Sequence, residues 1–89
     1  MSAYQKTENA KIAATGTANY ATFDGVIREL HIISDGDCFI AFDENVATTS
    51  SYLIKSGTEV QFTFTGGGPK KVWAITSGGS VNVYILAIR

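Results

Sequence analysis

The sequence predicts an all-β fold: a compact antiparallel β-sandwich, jelly-roll-like, of seven to eight short strands. Three observations predict it. Turn signals are closely spaced, at Thr15-Gly16, Asp24-Gly25, Asp35-Gly36, Ser56-Gly57, Gly66-Gly67-Gly68-Pro69 and Gly78-Gly79. The runs between them are rich in Val, Ile, Phe, Tyr and Thr. No stretch keeps a 3.6-residue apolar period for more than two turns.

Taken in order, the runs place strands near 10–15, 18–23, 26–33, 38–43, 51–55, 58–65, 71–77 and 80–88. Residues 10–89 then form one β-sandwich domain, and residues 1–9 a flexible arm. That arm, polar and without an apolar period, carries Tyr4, Gln5 and Lys6 as residues that order on meeting a partner. A frayed terminus is the competing reading.

Three turns read as tight hairpins. Asp35-Gly36 suits a type I′ turn and brings Ile33 opposite Cys38 and Ile32 opposite Phe39. Ser56-Gly57 does the same for Leu53 and Val60. A third, about Gly78-Gly79, sets Trp73 opposite Tyr84 and Val72 opposite Ile85. The strand "TEVQFTFT" alternates as a half-wet strand should, with Val60, Phe62 and Phe64 on one face and Glu59, Gln61 and Thr63 on the other.

The first and third hairpins are apolar on both faces. One face of the terminal hairpin has Val72, Ala74, Val81, Val83, Ile85 and Ala87, and the other has Trp73, Ile75, Tyr84, Leu86 and Ile88. Either the N-terminal strand and long loops fold over the second face, or a neighbouring copy or larger partner covers it. Each fully buried large side chain contributes about 1.5 to 3 kcal/mol. A chain of this length has only about 4 to 13 kcal/mol of net stability, so burial by a partner is the reading the magnitudes favour. Trp73, Ile75, Tyr84, Leu86, Ile88, Phe39 and Tyr52 are the resulting interface candidates.

Composition excludes several function classes. Seven basic residues against eight acidic ones, with no cationic cluster, do not make a nucleic-acid footprint. No run has the length of a membrane-spanning helix, and "MSAYQKTENAK" lacks the apolar core of a signal peptide, so synthesis in a cytoplasm is expected. Cys38 is the single cysteine and reads as a small buried hydrophobe.

Residues that could carry chemistry read as structural. Asp35, Asp37, Asp43 and Glu44 lack the alternating ligand spacing of a calcium loop, and no metal or other cofactor is expected. His31, between Leu30 and Ile32, has no nucleophile motif beside it and reads as a half-buried structural histidine, so no enzyme is expected. "TGGGPKK" lacks phosphate-loop spacing and precedes a strand. Tyr20, Tyr52, Trp73 and Tyr84 form a possible sugar-stacking platform, with Asn45, Thr48 and Asn82 as polar partners.

Ile40-Ala41-Phe42 before a Thr/Ser-rich loop, then Tyr52-Leu53-Ile54, Gly57-Thr58, Trp73-Ala74-Ile75 and Gly78-Gly79-Ser80, resemble the pattern of small virion structural proteins of tailed bacteriophages. The resemblance runs from about Ile33 to Leu86 and departs at Lys55-Ser56, where the pattern usually has Pro. It implies a β-sandwich of the capsid decoration, cement or head-fibre type, located in the virion. It also implies a homo-oligomer, a trimer being favoured, with the major capsid protein or other virion proteins as partners. A portal or tail adaptor and a carbohydrate- or host-surface-binding module are the alternatives.

Overall fold

The computed structural model describes residues 7–89. Tyr4, Gln5 and Lys6 lie outside the described residues. Eight strands form: β1 (Thr7–Ala14), β2 (Asn19–Thr22), β3 (Glu29–Ser34), β4 (Cys38–Phe42), β5 (Tyr52–Ile54), β6 (Val60–Thr63), β7 (Lys71–Ile75) and β8 (Val81–Ile88). No helix forms among the described residues. The strands make two antiparallel four-stranded sheets, ordered β1-β8-β3-β6 and β2-β7-β4-β5, here called the β8 sheet and the β7 sheet.

The topology is that of one long antiparallel ribbon wound on itself. β1 pairs with β8, β2 with β7, β3 with β6 and β4 with β5. Rolling this ribbon brings β3 against β8 and β4 against β7, which closes the two sheets. This winding is a jelly roll, as expected.

The three tight hairpins are not formed. Each turn carries the chain from one sheet to the other, so β3 and β4, β5 and β6, and β7 and β8 are not paired. Backbone geometry gives the reason. A type I′ hairpin needs positive φ at both central residues, but Asp35 and Gly36 both lack it. Gly57 and Gly79 have φ of 74° and 79°, while Ser56 and Gly78 before them do not share it. One positive φ at the third turn position is a type II feature, which splays flanking strands apart. Gly36 answers to space instead of torsion: a Cβ there would lie 2.7 Å from Cγ2 of Val81.

Thr7, Glu8 and Asn9, expected in a flexible arm, instead belong to β1 and stand opposite Ile88, Ala87 and Leu86. Pairing satisfies backbone groups that water alone would otherwise serve. At the same end, Arg89 pairs with the Glu8 carboxylate and donates Nε–H to the Asp24 carbonyl at 2.6 Å, tying β1, β8 and the loop after β2 together.

The core lies between the sheets. Strand alternation sends Ile12 and Ala14, Leu30 and Ile32, and Val83, Ile85 and Ala87 inward from the β8 sheet. Cys38, Ile40, Ile54, Val72 and Ala74 face them from the β7 sheet. Phe23 and Ile27 are also buried in this cluster. Phe42 meets Phe62 edge-on at 5.3 Å between ring centroids, with Phe64 at 6.0 Å, in the preferred aromatic geometry. Cys38 is free and fully buried, and burial pushes its thiol pKa up. It is the small hydrophobe its surroundings in sequence indicate.

Candidate assembly faces

Alternation that fills the core also fixes what each sheet shows to the outside. Trp73 and Tyr84 do not share a face, as the hairpin reading had it: Trp73 is on the outer side of the β7 sheet and Tyr84 on the outer side of the β8 sheet. The seven interface candidates accordingly divide. Trp73, Ile75 and Phe39 lie on the β7 face, and Tyr84, Leu86 and Ile88 on the β8 face. Tyr52 belongs to neither. It stands opposite inward-facing Ile40 at the rim, 57% exposed, with its ring edge-on to Phe62 at 5.8 Å.

On the β7 face, Tyr20 pairs with Trp73 and Trp73 with Ala41, while Ile75 pairs with Phe39 and Phe39 with Leu53. Trp73, Ile75 and Phe39 are half-buried, and Tyr20 and Leu53 are exposed. The Lys71 ammonium lies 4.5 Å from the Tyr20 ring centroid and 5.3 Å from that of Trp73, a cation–π arrangement. The two rings are tilted 50° to one another. A tilted pair under a lysine is a poor platform for a flat sugar face.

Asp43 holds this face in register. Its φ of 56° is left-handed, a region that Asp enters more readily than most residues. Its Oδ1 accepts from the Lys70 and Lys71 amides at 2.8 and 3.3 Å, and its own amide donates to the Lys71 carbonyl at 2.8 Å. Asp35 and Asp37 do comparable work at the sheet crossings. Asp35 accepts from the Asn82 amide (2.8 Å) and side chain (3.0 Å), and Asp37 from the Ser56 amide at 2.9 Å. These backbone donors lower both carboxyl pKa values. Among the described residues, no three His, Cys, Asp or Glu side chains are grouped as a metal site would need.

The β8 face is ordered in rows by register. One row reads Lys11, Tyr84, Ile33, and the pairing of Ile32 with Val60 continues it to Glu59. The next reads Asn9, Leu86, His31, Gln61. Tyr84 is 44% and Ile33 40% exposed. Between the rows lies a hollow of about 290 Å³, lined by Asn9, His31, Ile33, Glu59, Tyr84 and Leu86 among others.

His31 is half-buried, as its flanking residues indicate, yet not isolated. Its Nε2 lies 3.0 Å from Glu29 and its Nδ1 3.2 Å from Glu59, and these two carboxylates, Glu29 foremost, raise its pKa. Gln61 Nε2 is also 3.0 Å from Nδ1. One nitrogen cannot both donate to Glu59 and accept from Gln61, so the imidazolium selects Glu59, and the neutral ring that keeps its proton on Nε2, toward Glu29, selects Gln61.

Sequence reasoning placed Glu59 on the wet face of its strand but missed Ile33, Lys11 and Glu29 as components of the same outer face. Only their alternation with Ile12, Leu30, Ile32 and Val60 could have found them, once the pairing of β1, β3, β6 and β8 was known. The glycine-rich loop before β7 folds back through a Gly68 amide bond to the Ile27 carbonyl at 2.7 Å and leads into a strand. Comparison of the chain with protein-family models, with curated proteins and with solved structures returns no match.

Proposed function

We propose that this chain is a non-enzymatic virion structural protein of a tailed bacteriophage, a capsid decoration or cement subunit. It assembles with copies of itself and with the major capsid protein by burying the outer faces of its two sheets. The observation that carries this reading is the presence of large apolar side chains on both outer faces, Trp73, Ile75 and Phe39 on one and Tyr84, Ile33 and Leu86 on the other, none of them buried. Exposed apolar patches beyond a few hundred Å² are uncommon on monomers and mark contact surfaces. The resemblance of the segment from Ile33 to Leu86 to small phage virion proteins supplies the kind of partner.

Two opposed sticky faces suit a cement. One can meet a copy while the other meets a shell, and apolar contact needs no catalytic group. The test is co-sedimentation of the purified chain with undecorated phage capsids. Saturable binding is expected, and Trp73→Ser should weaken it at least tenfold without unfolding the chain. Absence of binding to capsids of any tested tailed phage, together with a monomeric mass at high concentration, would sink the proposal.

A further inference from the structure

We propose that the outer face of the β8 sheet packs against the same face of a second copy, about a two-fold axis running along the strands between β8 and β3. This rests on the reading of the outer faces as assembly surfaces and names the partner of one of them.

The order of residues across the sheet carries the inference. The row Lys11, Tyr84, Ile33, Glu59 has a cation at one edge, an anion at the other and two exposed apolar side chains between them. Rotation by 180° about an axis between Tyr84 and Ile33 reverses the row. It lays Tyr84 of each copy on Ile33 of the other and brings Lys11 of each to Glu59 of the other. The row is therefore complementary to itself, the condition for an isologous interface. The neighbouring row obeys the same operation: Leu86 meets His31, and Asn9 meets Gln61, where two amides can exchange hydrogen bonds.

Three further features fit. The hollow beside Ile33 and Leu86 lies where the rotation delivers the other copy's Tyr84 ring. Lys11 has no carboxylate contact among the described residues and leans on the Tyr84 ring, 5.8 Å from its centroid, while Glu59 keeps a side chain 56% exposed. Two sheets facing one another, strands nearly aligned, is also an ordinary packing for twisted sheets.

Size sets the expected strength. The four strands have eight, eight, six and four residues, each rising about 3.3 Å and lying about 4.8 Å from the next, a footprint of roughly 400 Å² per copy or about 800 Å² in all. That is below the size of stable specific interfaces, so the dimer is weak and reversible. It differs from the trimer that the phage resemblance implies.

Sedimentation velocity of the full chain over a hundredfold concentration range tests this. Wild type is expected to pass from monomer to dimer. K11E and E59K each should remain monomeric where wild type is dimeric, and the K11E/E59K double variant should dimerise again. A Lys11→Cys/Glu59→Cys variant provides an independent reading, because the two positions are at opposite edges of one sheet: mild oxidation should give a covalent dimer, and Lys11→Cys alone should not. Wild type that stays monomeric or forms only trimers, or a double variant as monomeric as the singles, overturns the contact. A chain that binds capsids but never dimerises overturns this contact and leaves the decoration reading standing.

Discussion

Trp73 donates its indole N–H to the backbone carbonyl of Asp43 at 2.7 Å. Among the described residues Asp43 is also the one non-glycine residue with positive φ. The largest ring of the β7 face is thus tethered to a residue that itself clasps Lys70 and Lys71.

Asp43→Ala should be destabilising by about 1–3 kcal/mol, since it removes a carboxylate acceptor and leaves a left-handed backbone that Ala tolerates poorly. Asp43→Asn, which keeps an acceptor and enters the left-handed region readily, should retain most of the stability. Urea denaturation followed by Trp73 fluorescence reads both. Equal stability of the Ala variant and wild type would show that the clasp contributes nothing.

His31 makes stability pH-dependent in one direction. Its folded pKa is raised by Glu29 and Glu59, so the stabilisation is fully present below the unfolded value of about 6.5 and is lost as pH rises through the folded value. Melting temperature of the wild type should fall across that window relative to His31→Gln. Identical pH profiles for the two chains would contradict the assignment. Titration of the imidazole by NMR gives the folded pKa directly.

Asp35 and Asp37 act at the acid end. Both folded pKa values are lowered by backbone amides, so the stability they contribute is present above about pH 4 and disappears as pH falls through the folded values. Asp35→Asn should flatten the acid limb of the stability curve below about pH 4. An unchanged limb would locate acid sensitivity elsewhere.

Gly36→Ala should cost about 1–3 kcal/mol, because the new methyl meets Cγ2 of Val81 at 2.7 Å in a packed crossing. Pairing it with Val81→Ala should restore part of the loss by vacating that space. Gly78→Ala, with nothing within 4 Å and no positive φ, should be near neutral. Thermal melts of the four chains check the ordering, and a Gly78→Ala penalty as large as that of Gly36→Ala would contradict it.

Strand positions were legible in the sequence because they depend on local alternation and turn chemistry. Val60 and Phe62 point in and Gln61 and Thr63 out, as the pattern "VQFT" dictates. Pairing was not legible. Asp35-Gly36 carries the same letters whether it closes a hairpin or lifts the chain to the other sheet, and the difference lies in Val81, 45 residues away, which fills the space beside Gly36. The excess of apolar surface could be read, but its division between two opposite faces could not. Nor could the row from Lys11 to Glu59, whose members come from β1, β8, β3 and the residue just before β6, distant from one another in the chain.

β8 lies between β1 and β3 and is hydrogen-bonded to both. A nascent polypeptide emerging from the ribosome therefore holds β1 and β3 without their shared neighbour until Val81–Ile88 is made, and the sheet closes only after synthesis has passed that point. Such non-local closure is slow. During the delay, the same strands that later build the roll are open to chaperones and to other nascent copies on the polysome.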